Sequence, residues 1–155
     1  MNKTISIILC TYNEVNYIEE AINLITKTLK NTEIIIVDDN STDGTLNKLD
    51  KLRTNFHFKL FVRKKERGFA SAVCKGLNEA TGDYVGFIDV NSFDQILHFK
   101  DMISKLDNRY DISVLSRYIP GGGDERVLLR SFSSKAINLV CKFLLISTVK
   151  IWLSL

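Results

Sequence analysis

Apolar and polar positions along the chain switch between two periods. Thr4–Cys10 is a short apolar run, and the polar break Thr11-Tyr12-Asn13-Glu14 follows it. Val15, Ile18, Ile22, Ile25 and Leu29 then recur at alternating steps of three and four, which predicts one face of a helix. Glu33–Val37 is apolar without alternation, as in a strand covered on both faces. It stops at a loop, 38–45, rich in side chains that bond nearby backbone and start helices. The alternation repeats: a helix on Leu46, Leu49 and Leu52, a strand at Phe58–Val62, a helix on Ala70, Val73, Leu77 and Ala80, and a strand at Tyr84–Asp89. A helix on Ile96, Phe99, Ile103 and Leu106 and a strand at Asp111–Ser116 complete the series. Pro120-Gly121-Gly122-Gly123 is a loop signal, and 127–149 reads as helical.

Alternating strands and helices with long connections predict an α/β fold, a mainly parallel sheet flanked by helices. In such sheets ligands sit beyond the carboxyl ends of the strands, near the point where strand order reverses. The polar residues gather there: Tyr12 to Glu14 after strand one, Asp38 and Asp39 after strand two, Asp89 and Asn91 after strand four, and Ser116-Arg117 after strand five.

Composition narrows the classes. The chain has 155 residues, 45% of them hydrophobic and 25% charged, enough for one domain with a real core. The net charge of +3 does not call for nucleic acid. Residues 1–116 carry 15 basic and 16 acidic groups, residues 117–155 carry 6 and 2, so the positive excess lies in the last quarter. Cys10, Cys74 and Cys141 match no metal-ligand spacing and read as small core residues in a reducing compartment. Met1 leads into a strand without a basic segment or cleavage site, so no secretory signal is expected.

The candidate chemistry is that of oxygen ligands. Asp38-Asp39 serve equally as helix-start carboxylates or as acceptors for a ribose or base. Asp89-Val90-Asn91 offers oxygens to a hard cation shared with diphosphate, or forms an ordinary turn. Neither a Gly-x-x-x-x-Gly-Lys loop nor Gly-x-Gly-x-x-Gly follows strand one, which disfavours a P-loop or NAD-type site. A bound diphosphate would then be held by a metal and arginines.

Cys-Thr-Tyr-Asn-Glu (10–14), Val-Asp-Asp-Asn-Ser-Thr-Asp-Gly-Thr (37–45), Arg-Gly-Phe-Ala-Ser-Ala (67–72), the run 80–91 and the run 111–122 together resemble the inverting GT-A glycosyltransferases of family 2. The dolichol-phosphate mannosyltransferase and polyprenyl-phosphate glycosyltransferase branch is the most similar, over residues 4 to about 140. The resemblance implies that Tyr12, Glu14, Val37 and Asp39 bind the nucleoside. It implies that Asp89 and Asn91 bind nucleotide and Mg2+ or Mn2+, that Val90 contacts the substrate, and that Arg117, Arg130 and Ser134 hold phosphate. Asp89 and Arg117 are the implied catalytic residues. The implied partners are a nucleoside-diphosphate sugar, a polyprenyl phosphate lipid and a membrane surface, with no nucleic acid; the expected location is the cytoplasmic face of the membrane, or the cytoplasm if the tail packs on the domain.

The expected organisation is a nucleotide-sugar-binding domain at 1–125 and an apolar, basic helical segment at 126–155. Within that segment, 136–155 carries Lys142 and Lys150 and fits an interfacial helix or one packed on the domain. Two departures from the family pattern bear on activity: Asn91 stands where the family has a second Asp, and 92–97 lacks the Gln and Pro-Pro-Glu that usually follow. With the family's continuation absent after about 149, the resemblance also implies a C-terminally truncated copy. The alternative to an active transferase is a nucleotide-sugar-binding domain without turnover.

Overall fold

The computed structural model describes residues 3–108 and 110–116 and the backbone of 151–154. The chain divides into two compact units, 1–97 and 98–155. The expected boundary at 125/126 lies outside the described residues.

The first unit is a four-stranded sheet in the order β3-β2-β1-β4, all parallel. Its strands are β1 (Ile5–Thr11), β2 (Thr32–Asp38), β3 (Lys59–Val62) and β4 (Tyr84–Asp89), joined through α1 (Ile18–Thr28), α2 (Thr45–Leu52) and α3 (Phe69–Glu79). Each element lies within a few residues of its sequence expectation: the helices follow their apolar steps of three and four, and the strands are short apolar runs bounded by polar breaks. The β1 and β2 side chains are almost wholly buried on both faces, as continuous apolar runs require. Successive side chains of a strand point to opposite faces. Ile8 of β1 and Ile35 and Val37 of β2 pack with Ala72 of α3. The intervening Ile7, Leu9, Ile34 and Ile36 are buried on the other face.

α3 comes close to β1 because Gly76 has no side chain. A Cβ there would lie 2.4 Å from Ile8 Cγ2.

From β1 the chain winds outward through β2 to β3, then returns to place β4 on the other side of β1. Strand order therefore reverses between β1 and β4, and that is where a ligand crevice belongs. Register puts Val37, Cys10 and Asp89 in one row across β2, β1 and β4.

After β4 a 3-10 helix (Val90–His98), interrupted at Ser92, leads into α4 (Phe99–Asp107). The helix expected to start near Ile96 thus has a tighter winding before it.

In the second unit α4 packs against β5 (Ile112–Leu115), which pairs in parallel with β6 (Ile151–Ser154). Two expectations change. β5 does not join the four-stranded sheet, so the shared rim is built from β1, β2 and β4. The end of the segment expected to be helical to Leu155 is a strand at 151–154: a short apolar run carries no periodicity that separates the two states, and pairing with β5 decides it. The expected helix at 127–149 lies outside the described residues. Among the described residues no helix is long and apolar enough to cross a membrane. Cys74 is exposed and Cys10 half-buried, so neither is the fully buried residue expected.

Candidate functional site

The carboxyl rim of the sheet is built first by a buried carboxylate bonded to donors from two loops. Asp38 ends β2, fully buried, and accepts from Thr11 Oγ1 (2.7 Å), Ser41 Oγ (2.6 Å) and Ser41 N (2.8 Å). Such charge-assisted bonds are among the stronger ones in proteins. Ser41 Oγ in turn accepts from Asn13 N (2.9 Å), and Asn13 Oδ1 accepts from Thr42 N (2.9 Å). Asp43 accepts from Thr45 N (3.0 Å) and Oγ1 (2.6 Å) at the start of α2 and from Val15 N (3.1 Å). Thr45 Oγ1 also accepts from Glu14 N (2.9 Å). The β1–α1 and β2–α2 loops are thereby stapled together. Gly44 permits the turn into α2, with φ at 102°.

On this frame sit the residues expected to bind the nucleoside. Tyr12 is 47% exposed, with the Arg67 guanidinium 5.1 Å from its ring centroid, a cation–π contact. Asp39 is only 7% exposed. Its Oδ1 accepts from Arg63 Nε (2.7 Å) and pairs with Arg63 Nη2 (2.5 Å), and its Oδ2 accepts from Gly68 N (2.8 Å). An ionised carboxylate offers about four acceptor directions, and Arg63 and Gly68 take three of those of Asp39. Val37 and Val90 are fully buried.

Glu14 and Asp89 differ in kind. Asp89 ends β4 with an exposed side chain. Burial raises the Glu14 carboxyl above its ordinary range, and the negative charges of Asp89 and then Asp43 raise it further. Among the described residues no cation pairs with Glu14 or Asp89, and such crowding of like charge is a common mark of a ligand site. Cys10, between Val37 and Asp89 in the row, is pushed up to about 11 by burial, against the Arg63 charge and together with Asp39 and Asp89. Its thiol is not a nucleophile at neutral pH.

Asn91 is exposed in the first turn of the 3-10 helix, its Oδ1 accepting from Ser92 Oγ (3.0 Å). The Asp89 carboxylate and Asn91 amide are oxygen donors suited to a hard divalent cation. No cluster of three or more His, Cys, Asp or Glu side chains able to hold a metal exists among the described residues. The donor set therefore fits a cation that takes much of its shell from diphosphate oxygens and water. Arg117, Arg130 and Ser134 lie outside the described residues.

The sequence reading missed Arg63 and gave Arg67 no role. The signal for Arg63 was present: a basic residue directly follows the β3 apolar run, at the same rim as the acidic residues.

A family model described as glycosyl transferase family 2 matches residues 6–150. The dolichol-phosphate mannosyltransferase of Pyrococcus furiosus is 38% identical over 124 residues, covering 76% of this chain and 34% of that protein. Among solved structures, S. aureus TarS 1–349 in complex with UDP is similar with a TM-score of 0.61 at 27% identity, over 79% of this chain and 38% of that one. The mannosyltransferase PcManGT from Pyrobaculum calidifontis, in complex with GDP-Man and Mn2+, gives a TM-score of 0.51 at 29% identity, over 58% of this chain and 28% of that one. The chain spans about a third of the length of these relatives. With the parallel sheet and the rim in place, these matches make the fold that of the GT-A nucleotide-diphospho-sugar transferases, and the chain belongs to glycosyl transferase family 2.

Proposed function

We propose that the rim binds a nucleoside-diphosphate sugar and that the protein transfers the sugar, mannose or glucose, to a polyprenyl phosphate with inversion. The observation that carries this reading is the placement of Tyr12, Asp39 and Asp89 at the carboxyl ends of β1, β2 and β4, where strand order reverses, within a family whose similar member in P. furiosus is a dolichol-phosphate mannosyltransferase. Tyr12 offers a ring face for the base, and Asp39 offers its remaining acceptor direction to a base N–H or ribose hydroxyl. Asp89 and Asn91 would hold Mg2+ or Mn2+, which supplies charge stabilisation for the departing diphosphate. The complex of PcManGT with GDP-Man and Mn2+ supports the choice of metal.

The acceptor phosphate has a second pKa of about 6, like other phosphate monoesters, so its oxygen is anionic at neutral pH. It needs no general base. That oxygen attacks the anomeric carbon as the bond to the diphosphate oxygen breaks, and in-line displacement inverts the centre. Arg117, Arg130 and Ser134 are assigned to phosphate by their place in the family pattern, with a planar guanidinium suited to paired phosphate oxygens. The basic last quarter suits an anionic membrane surface, and the proposed location is the cytoplasmic face of the membrane.

A second reading, binding without turnover, is favoured by Asn91, which offers an oxygen without a charge. Incubation of the chain with radiolabelled GDP-mannose or UDP-glucose, Mn2+ and polyprenyl phosphate decides between them. Label in the lipid phase, abolished by excess chelator, supports transfer. Nucleotide binding without labelled lipid supports the second reading, and absence of nucleotide binding overturns both.

A further inference from the structure

Arg63, which the reading of the rim leaves without a role, joins three segments at once. It follows β3, and its backbone N donates to Asp38 O at 2.7 Å. Its side chain is buried, 8% exposed for the residue as a whole. Nε and Nη2 converge on Asp39 Oδ1, Nη2 also donates to Gly68 O (3.0 Å), and Nη1 donates to Ser71 Oγ (2.8 Å). Gly68 N closes the ring on Asp39 Oδ2 (2.8 Å). Three of the carboxylate's acceptor directions are thus fixed by one fork and one amide, and the fourth has a fixed direction as a result. The same clamp holds both ends of the exposed 64–67 loop, which carries Arg67 to the Tyr12 ring.

We propose that Arg63 is a positioning residue for the nucleoside: it orients Asp39 and anchors the loop that carries Arg67 over Tyr12, and it touches no ligand itself. This rests on the nucleoside reading of the rim. A lysine in its place keeps the charge but cannot supply the fork. The fork is spent on protein acceptors, so the effect on a ligand must pass through Asp39 and Gly68.

The test is calorimetric titration of the full chain with UDP and with GDP in the presence of Mn2+, for Arg63→Lys, Asp39→Asn and the double variant. Residues acting through one another give non-additive losses. We expect each single variant to lose about tenfold in affinity, in the range of an outer-shell removal, and the double variant to bind no more weakly than Asp39→Asn. Losses that multiply in the double variant, or an unchanged Arg63→Lys beside a weakened Asp39→Asn, overturn the positioning role alone. An unchanged Asp39→Asn overturns the nucleoside reading and this proposal with it. Thermal unfolding monitors the fold, and a defect confined to folding lowers the melting temperature without weakening binding by the folded protein. If Arg63→Lys does not fold, Ser71→Ala serves instead: about a threefold loss that vanishes in the Asp39→Asn background supports the proposal, and no loss or a multiplying one overturns it.

Discussion

The two ends of the four-stranded sheet both carry acidic residues, and they use them differently. At the amino end Glu33 accepts from Ser6 Oγ, Thr81 N (3.0 Å) and Thr81 Oγ1 (3.1 Å), and pairs with Lys59 (2.5 Å). Asp83 accepts from Thr4 N (2.8 Å) and Thr4 Oγ1 (3.2 Å). Each carboxylate there closes the sheet onto a neighbouring turn. At the carboxyl end Asp38 and Asp39 are likewise enclosed, but Asp89 and Glu14 are set near one another with no cation paired to either among the described residues. Burial opposes ionisation of Glu33, yet Lys59 and the Ser6 and Thr81 hydrogen bonds hold its carboxyl down to about 2, whereas Glu14 is raised. A carboxylate matched to donors builds structure. One crowded by like charge lowers stability and keeps its oxygens for something else.

The largest expected effect separates the two ends outright. Asp89→Ala should weaken Mn2+-dependent binding of a nucleoside diphosphate on the order of 100-fold, the upper range for groups that support a metal site, with little change in melting temperature. Calorimetry and thermal unfolding on the same samples check this. The counterpart at the amino end is Glu33→Gln. It should leave nucleotide affinity unchanged and lower stability by about 1.5–3 kcal/mol, the range for hydrogen bonds to a charged group. Because the folded Glu33 carboxyl is depressed, its contribution is present above its ordinary value of 4.5 and is lost as pH falls toward about 2. Urea unfolding at pH 7 and pH 3 should therefore show a wider gap between parent and variant at pH 7.

Between the two ends, Gly76→Ala forces a Cβ against Ile8 and should cost about 1–3 kcal/mol by overpacking. Its effect belongs to the core, so nucleotide affinity of the folded protein should hold. The smallest effect concerns the acidic pair. Asp89→Asn should lower the Glu14 carboxyl only part of the way to its ordinary range, since burial, the larger cause, remains. An NMR titration of the Glu14 side chain reads that shift.

How legible these features were differs along the chain. β1 and β2 could be read because their runs are apolar on both faces, and α1 because its apolar steps hold for three turns. The rim followed from topology, since a parallel sheet gathers its strand ends on one side. Asp38 and Asp39 are neighbours of one type in sequence, and only the fold separates the carboxylate that staples two loops from the one that Arg63 and Gly68 hold. Arg63 was hidden because its partners lie 24 residues before it and five and eight residues after it. The sheet partner of β5 was illegible for a related reason: pairing depends on a segment at 151–154 whose short apolar run has no period of its own.

The central claim is that a nucleotide with its metal binds at the carboxyl ends of β1, β2 and β4. The most direct measurement is paramagnetic broadening of backbone amide signals when Mn2+ and a nucleoside diphosphate are added to the chain. The account predicts broadening centred on 89–92, weaker at 11–14 and 38–41, with the signals of Glu33, Thr81 and Asp83 at the opposite end left sharp. Broadening centred on the amino end, or spread evenly over surface carboxylates, would contradict it.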